Sequence, residues 1–278
     1  MPVDQLLCEG EPKSPDVRLL NSLVANCVVR AGGSKYGLGT RILLWREVIS
    51  TSTTAGIRDR DFDDDDRTPS GVVRDWLGDD GRIRLGFIWE RKEIENYLID
   101  PSVVRESLGL TQSSLAEYTS HLEWAADRLG PYTAARTALS LARPRFRPLP
   151  NSWGRGRGSA KHRLPDGVST QECRDQIRQT LATYAGSATP VEDRVMAVFD
   201  QLFPLCGSGG IRRAHYLTFF SGKDILYSIQ PQLLEMGLGH PGQFLERILT
   251  SLEHSTAPIG EWVPEWSNLQ VRLSEFSD

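Results

Sequence analysis

The chain has 278 residues, 39% of them hydrophobic and 24% charged, and its formal net charge is −4. This composition is that of an ordinary soluble globular protein with room for one large domain or two smaller ones. No apolar run reaches the roughly 18 residues that a membrane-spanning helix needs, and the N-terminus lacks the basic region of a signal peptide. The four cysteines have neither disulfide-framework nor zinc spacing. We therefore expect a cytoplasmic protein that does not associate with a membrane.

The two signs of charge are segregated along the chain. Six aspartates fall within residues 59–66, whereas residues 143–163 hold seven Lys or Arg residues and no acid. The basic stretch also contains Phe146 and Trp153, and its Pro and Gly residues disfavour regular structure. This composition favours a loop that binds nucleic-acid phosphates over a plain flexible linker. Its cations are Arg143, Arg145, Arg147, Arg155, Arg157, Lys161 and Arg163.

The first sixty residues alternate between predicted strands and helices. Leu6-Leu7-Cys8 indicates a buried strand, and a helix follows with Ser14 at its N-cap and Pro15 as its first residue. A second strand at residues 27–30 leads to a helix over residues 38–49, and a third strand ends near Asp59. The order β-α-β-α-β predicts an α/β fold with a parallel sheet covered by helices.

Candidate functional residues follow each of these strands. Glu9-Gly10 follows the first, residues 32–35 follow the second, and Asp59-x-Asp61 follows the third. Functional groups of parallel sheets gather beyond the carboxyl ends of the strands, so these three stretches are predicted to meet at one edge. The turn at residues 32–35 is either a plain turn or a site where backbone N–H groups and Lys35 bind an anion.

Asp59 and Asp61 lie one residue apart at the end of a short apolar segment. The strand period of two would place both carboxylates on one face, where they repel each other unless a cation lies between them. A divalent cation is the usual solution, and we expect Glu9 to complete the site. A solvated acidic turn is the alternative. An EF-hand is excluded, because the sixth and twelfth positions are Asp64 and Ser70 instead of Gly and Glu.

Residues 85–89 predict a further strand, and residues 90–99 predict a helix after it. Glu93 and Glu95 would lie near the strand exit, where they are either metal ligands or acids favoured by the helix dipole. A short apolar stretch at residues 216–220 predicts one more strand, leading into a helix through Ser221-Gly222-Lys223-Asp224. Lys223 is a candidate for neutralising a phosphorane-like transition state. The chain has no P-loop.

The rest of the chain is predicted to be mostly helical. We expect helices from Pro101, over residues 115–141 apart from Gly130-Pro131, and near residues 171–186, 190–204, 223–236, 242–254 and 265–276. These elements divide the chain into a core at 1–110, a helical insert with the basic loop at 111–165, and a mostly helical region at 166–278. The last region is a dimerisation surface, a partner-docking surface or the second wall of a nucleic-acid channel.

Glu-Gly after the first strand, a Gly turn after the second and Asp-x-Asp after the third resemble the Toprim fold of topoisomerases, primases and OLD-type nucleases. Within that group, Ile-Arg-Asp-Arg-Asp-Phe at 57–62, Glu-Ile-Glu-Asn-Tyr-Leu at 93–98 and Gly-Lys-Asp at 222–224 are similar to the DUF4435 or OLD-like Toprim nucleases. These include the Toprim effectors that accompany ABC-type ATPases in bacterial anti-phage defence, such as the nuclease subunit of PARIS-type systems. The resemblance covers roughly residues 5–100.

The resemblance implies a Toprim sheet whose acids hold one or two Mg²⁺ or Mn²⁺ ions. The implied metal ligands are Glu9, Asp59 and Asp61, with Glu93 or Glu95 completing the second site. The implied catalytic residues are Glu9, Asp59, Asp61 and Lys223. The family often has an acid four residues after the Glu, where this chain has Lys13. Asp16 takes that place as a metal ligand if Glu11-Pro12-Lys13 is an insertion.

Together, the residues and the resemblance predict a metal-dependent Toprim endonuclease that hydrolyses phosphodiester bonds of DNA or RNA, with tRNA among the candidate substrates. Its implied role is anti-phage defence with an ABC- or OLD-type ATPase as the activating partner. The basic loop and Lys35 would attract the nucleic acid, so activity should fall as salt rises. The alternatives are a non-catalytic nucleic-acid-binding Toprim module and a primase-like nucleotidyl transferase that extends a primer.

Overall fold

The computed structural model describes residues 2–49, 52–62, 69–79, 81–142, 150–156, 162–183 and 192–276, with the backbone alone at residues 155, 156 and 163. The contacts within the chain divide it into two compact units. The first unit contains Met1–Arg60, Thr68–Leu115 and Gly242–Asp278, and the second contains Asp61–Arg67 and Ala116–Pro241. The first unit is therefore assembled from three separate stretches of sequence.

A five-stranded, mostly parallel sheet forms the centre of the first unit. Its strands are β1 (Gln5–Cys8), β2 (Val28–Ala31), β3 (Thr54–Arg58), β4 (Arg74–Leu77) and β5 (Arg84–Ile88). They lie in the order β2-β1-β3-β5-β4, with β4 antiparallel to β5 and the other neighbours parallel. The predicted α/β class with a parallel sheet is confirmed, whereas β4 was not predicted.

Helices make up most of the remaining described residues. In chain order they are α1 (Pro15–Leu23), α2 (Lys35–Val48), α3 (Glu95–Leu98), α4 (Pro101–Leu108), α5 (Gln112–Ala142), α6 (Thr170–Thr183), α7 (Glu192–Cys206), α8 (Ile211–Ala214), α9 (Tyr216–Phe219), α10 (Gly222–Ser228), α11 (Gln230–Glu235), α12 (Pro241–His254) and α13 (Pro264–Ser274). In the part of the chain that the structure describes, no helix combines the length and apolar character that crossing a membrane requires.

Helix α1 begins where the sequence predicts. The Ser14 hydroxyl oxygen accepts a hydrogen bond from the Val17 backbone N–H at 3.5 Å, and Pro15 is the first helical residue. The backbone N–H groups in the first turn of a helix have no hydrogen-bond partners within the helix. A Ser side chain at the N-cap accepts a bond from one of these N–H groups, and Pro has no backbone N–H that needs a partner. Helix α4 begins in the same way, with Asp100 as the N-cap and Pro101 after it.

The apolar core of the first unit includes a cluster between the sheet and α2. Its buried members are Leu7, Leu38, Ile42, Trp76, Leu85 and Ile88, and Trp45 packs against them. Gly56 of β3 pairs with Gly86 of β5. A Cβ atom on Gly86 would lie 1.9 Å from the Gly56 carbonyl oxygen, and φ at Gly86 is +151°. Only glycine fits at this close approach of two backbones.

Residues from the C-terminal part of the chain complete the first unit. The Val3 N–H donates to the Leu273 carbonyl oxygen at 3.0 Å. The Asn268 side-chain oxygen accepts a hydrogen bond from the Val73 N–H at 3.1 Å, just before β4. Helix α13 is therefore bonded both to the residues before β1 and to the residues before β4.

The second unit is mainly helical, and α5 is its longest described helix. This helix continues through Gly130-Pro131, where the sequence predicted breakers. A Cβ atom on Gly130 would lie 2.6 Å from the Cys206 carbonyl oxygen, so glycine allows α5 and the end of α7 to approach closely. The unit also contains a pair of two-residue antiparallel strands, β6 (Arg155–Gly156) and β7 (Arg163–Leu164).

Several predicted elements differ from the structure. The strand predicted at residues 216–220 is wrong: these residues contain α9, and a short apolar run cannot distinguish a buried strand from a buried helix. The helix predicted over residues 90–99 is confined to α3, which begins only at Glu95. The helix predicted over residues 223–236 is split into α10 and α11 near Pro231, whose ring disfavours a continuous helix. The predicted irregular loop contains the β6–β7 pair.

Candidate functional site

Glu9 and Asp59 lie side by side at one edge of the sheet. They directly follow β1 and β3, which are parallel neighbours with Cys8 opposite Ile57. The Asp59 backbone N–H donates a hydrogen bond to Glu9 Oε1 at 3.1 Å. The predicted meeting of these two stretches at the carboxyl edge is confirmed, because the parallel pairing brings both strand ends to the same place.

The glycine turn after β2 joins the same edge. The Gly10 N–H donates to the Gly33 carbonyl oxygen at 2.9 Å, and the Gly33 N–H donates to the Gly10 carbonyl oxygen at 3.2 Å. The Gly32 N–H donates to the Cys8 carbonyl oxygen at 2.6 Å. The N–H groups of Gly32 and Gly33 serve these bonds and are not directed at an anion. Whether Ser34 and Lys35 bind an anion at this turn stays a prediction. Lys35 is the first residue of α2, and its Nζ lies 5.7 Å from the Tyr36 ring centroid.

Asp16 brings a third carboxylate near this edge. It lies in the first turn of α1, and its Oδ2 would be 3.9 Å from a Cβ atom built on Gly10. Burial raises the pKa of the Cys8 thiol, and the negative charges of Asp16, Asp59 and Glu9 raise that pKa further. All three carboxylates therefore lie close enough to the end of β1 for their charges to raise the pKa of the Cys8 thiol.

The donor types at this edge suit a hard divalent cation. Mg²⁺ is usually bound by one or two carboxylates and keeps several waters, which matches the adjacent Glu9 and Asp59. Within the described residues, no three His, Cys, Asp or Glu side chains are arranged to hold a metal ion. Glu9 and Asp59, with Asp16 nearby, thus have the donor chemistry for a water-rich Mg²⁺ or Mn²⁺ ion.

Asp61 does not share a strand face with Asp59. Strand β3 ends at Arg58, so both aspartates lie beyond it, and the expected period of two does not apply. Asp61 has φ of 51°, a left-handed conformation that Asp adopts more readily than most residues. The next residue, Phe62, is buried in the second unit beneath the Arg136 guanidinium group, 4.3 Å from its ring centroid. The aspartates at residues 63–66 lie outside the described residues.

Glu93 and Glu95 follow β5, the strand next to β3. Both are buried, at 8% and 6% exposure. Glu95 is the first residue of α3, whereas Glu93 precedes the helix and its N–H donates to the Asn96 side-chain oxygen at 3.2 Å. Their burial distinguishes them from solvated helix-terminal acids, because a buried carboxylate requires compensating groups. Their role as metal ligands stays a prediction.

A buried polar network supports the segment that carries these two acids. Glu265 of α13 accepts hydrogen bonds from the Glu90 backbone N–H at 2.6 Å and from the Tyr97 hydroxyl group. Burial raises the pKa of Glu265 to about 7. The Glu90 carboxylate in turn pairs with Arg74 of β4 at 2.6 Å. Sequence reasoning missed this network, because Glu265 and Glu90 are 175 residues apart and no local pattern links them.

Lys223 lies in the second unit, at the second position of α10. The next residue, Asp224, is 1% exposed and binds both the Arg136 guanidinium group and His162 Nε2, the latter at 2.8 Å. The His162 ring lies against the Tyr227 ring in a tilted arrangement, with ring centroids 4.9 Å apart. The start of α10 is therefore held in place by the buried Asp224 carboxylate and its bonds to Arg136 and His162. Sequence analysis identified the Gly-Lys-Asp motif but did not predict that its Asp is the anchor or that His162 is its partner.

The predicted phosphate-binding loop is described only in part. Arg143, Arg145, Arg147, Arg157 and Lys161 lie outside the described residues, and only the backbones of Arg155 and Arg163 are described, in β6 and β7. Trp153 is packed edge-to-face against Tyr132 of α5, with ring centroids 4.6 Å apart. The Tyr132 hydroxyl donates to the Trp153 carbonyl oxygen at 3.3 Å.

Comparison with known proteins adds no family assignment to this geometry. No protein-family model matches the chain, and no curated protein matches it.

Proposed function

We propose that this chain is a divalent-metal-dependent endonuclease of the Toprim type, which hydrolyses phosphodiester bonds of DNA or RNA. One observation carries the proposal: Glu9 and Asp59, which are 50 residues apart in sequence, follow parallel neighbouring strands and are joined by a 3.1 Å hydrogen bond. This is the arrangement that the resemblance to OLD-like Toprim nucleases requires of these two residues.

The residues at the sheet edge have distinct tasks in this proposal. Glu9 and Asp59 would hold Mg²⁺ or Mn²⁺, with Asp16 as a further ligand. When bound, the ion would activate a water molecule and stabilise the leaving oxygen of an in-line displacement. The Asp59 N–H fixes the orientation of the Glu9 carboxylate through its hydrogen bond. Backbone hydrogen bonds among Cys8, Gly10, Gly32 and Gly33 hold the ends of β1 and β2 together and so help to fix the position of Glu9.

Further parts of the proposal come from the resemblance alone. Asp61, Glu93 and Glu95 are the additional candidate metal ligands, and Lys223 is the candidate cation for the transition-state charge. An ABC- or OLD-type ATPase is the proposed activating partner, and anti-phage defence is the proposed setting. The cations at residues 143–163 and Lys35 are proposed to attract the phosphate backbone.

The test is cleavage of duplex DNA, single-stranded DNA and total tRNA with Mg²⁺, Mn²⁺ or EDTA. Glu9→Gln and Asp59→Asn should each abolish metal-dependent cleavage, because each removes one charged ligand. Glu11→Gln is the matched control: Glu11 is an exposed acid two residues from Glu9, and this variant should cut like the wild type. Cleavage by Glu9→Gln or Asp59→Asn at the wild-type rate would overturn the proposal.

The alternatives give different results in the same assays. A non-catalytic binding module would retain the nucleic acid without cutting it, and its affinity would not change in Glu9→Gln. A primase-like transferase would extend a primer when NTPs and a template are supplied. If the wild type is inert on every substrate, calorimetric titration with Mn²⁺ decides the matter: binding that is lost in both variants indicates an intact site that needs its activator, and absence of binding in the wild type rejects the metal site.

A further inference from the structure

A cavity of about 450 Å³ lies at the β2 edge of the first unit. Its lining includes Val17 of α1, Arg30 of β2, Gly32, and Arg41 and Trp45 of α2. Cavities of about 300–1,000 Å³ are the usual size for small ligands. Because β2 is the outer strand of the described sheet, the cavity opens at the side of the sheet rather than within its core.

The cavity is a positively charged site. None of the described residues that line it is acidic, and in the described part of the chain neither Arg30 nor Arg41 forms an ion pair. Arg30 Nε donates to the Gln5 side-chain oxygen at 2.9 Å, and Arg41 Nη1 donates to the Gly32 carbonyl oxygen. A guanidinium group has five N–H donors. Each arginine is thus oriented by one hydrogen bond and keeps other donors for an anion.

The same cavity offers a flat stacking surface. Trp45 is half-buried and packs against the apolar core cluster of the first unit, which restricts its ring. The Arg30 guanidinium carbon lies 5.0 Å from the centroid of that ring. Nucleobases stack on aromatic side chains and on guanidinium planes, and guanidinium groups bind phosphate oxygens through paired N–H donors. A base and a phosphate are therefore the two chemical parts that this cavity accommodates.

The cavity adjoins the candidate metal edge through Gly32. Gly32 lines the cavity, and its N–H is bonded to the Cys8 carbonyl oxygen directly before Glu9. The adjacent Gly33 is paired with Gly10 directly after Glu9. The cavity and the candidate metal edge are therefore neighbours within the first unit, joined by this turn.

From these contacts we infer that the cavity of Arg30, Arg41 and Trp45 binds one nucleotide of the nucleic-acid strand that flanks the nucleotide at the metal edge. The Arg30–Trp45 pair stacks its base, and Arg41 contacts its phosphate. This inference rests on the proposed nuclease function and adds to it a site that positions the substrate. It favours single-stranded or locally opened substrate, because a base that stacks in a cavity cannot remain paired in a duplex.

The experiment measures binding of a fluorescein-labelled single-stranded 12-nucleotide DNA by anisotropy, with EDTA present so that metal-dependent cleavage does not occur. Trp45→Ala should weaken binding about fivefold or more, since stacking of one base contributes that much or more. Arg41→Ala should also weaken binding, because it removes a contact to a phosphate. Trp45→Phe keeps an aromatic ring and should recover most of the affinity, which also separates stacking from damage to the fold. Arg41→Ala should reduce the salt slope of log K by about 1.

Arg105→Ala is the matched control, because it removes the same charge from an exposed position on α4. It should leave the affinity within twofold of the wild type. Wild-type affinity in both Trp45→Ala and Arg41→Ala would overturn the inference, even if the protein cuts nucleic acid. Free dTMP is the competing ligand: if dTMP binds as tightly as the 12-nucleotide strand, the cavity serves a free nucleotide and the inference about the strand is wrong. If Trp45→Ala and Arg41→Ala lose binding while the wild type neither cuts nucleic acid nor binds Mn²⁺, the nuclease proposal is rejected and the inference about the cavity is kept.

Discussion

Replacing Asp224 with Asn should destabilise the second unit severely, although the two side chains have nearly the same shape. Asp224 is 1% exposed, and the side chains of its two partners, Arg136 and His162, are only 12% and 15% exposed. The substitution removes the negative charge that the buried Arg136 guanidinium group contacts. Breaking a buried pair in this way costs about 3–5 kcal/mol, and for a protein of this size that corresponds to a fall in Tm of roughly 6–20 °C.

Thermal unfolding followed by circular dichroism measures this effect. Asp200→Asn is the control, because Asp200 forms its ion pair with Arg174 at the surface and is 49% exposed; its loss should cost no more than about 1 kcal/mol. Adding Arg136→Met to Asp224→Asn should recover part of the stability, since no uncompensated charge then remains. Equal Tm values for Asp224→Asn and Asp200→Asn would refute the reasoning.

Three other predictions concern the first unit and the cysteines. Burial raises the pKa of Glu265 from 4.5 to about 7, so between those values the folded state holds a proton that the unfolded state has lost, and the free energy of unfolding falls as pH rises through this window. Glu265→Gln should remove this pH dependence, which amounts to roughly 3 kcal/mol. Urea titrations at pH 4.5 to 7.5 measure it, and a variant whose free energy of unfolding falls with pH as in the wild type would contradict the role given to Glu265. Gly10→Ala should lower the free energy of unfolding by more than about 1 kcal/mol, because φ at Gly10 is +92° and the new Cβ would lie 2.4 Å from Ser14 Oγ. Gly242→Ala is the control: a Cβ there meets nothing within 4 Å, so this variant should melt like the wild type. Cys8 and Cys173 should react slowly with DTNB at pH 8 in the folded protein, since burial raises the pKa of both thiols and only the thiolate reacts. Mass spectrometry locates the labelled cysteine, and rapid labelling of either one would show that its thiol is not buried.

The parallel part of the sheet was predictable because its signals are local. Ser14 and Pro15 start a helix by satisfying or lacking particular N–H groups, and the apolar run Leu6-Leu7-Cys8 is buried as a strand. Strand β4 has no such signal: as an antiparallel edge strand it buries only Trp76 among its four residues. The helix at residues 216–219 was predicted as a strand because its apolar run is too short to show a period.

The candidate site also has parts that could be predicted from the sequence and parts that could not. Glu9 and Asp59 could be expected to meet because parallel neighbouring strands end at one edge. The Asp224–His162 pair joins residues 62 apart in sequence, and nothing in the spacing of the histidines indicates it. The expected alternation of Asp59 and Asp61 failed for a simple reason: β3 ends at Arg58, before either residue.

The assignment of Gly242–Asp278 to the first unit has a consequence for how the protein is made. During synthesis, the chain up to Leu115 leaves the ribosome long before α12 and α13 do. At about 5–20 residues per second, the intervening 126 residues (Ala116–Pro241) take roughly 6–25 s to translate. Throughout that interval the nascent sheet lacks the helix that binds Glu90 and the Val3 segment. The segment that carries Glu93 and Glu95 is therefore completed late, and a chain whose translation stops early has this segment without its hydrogen bond to α13.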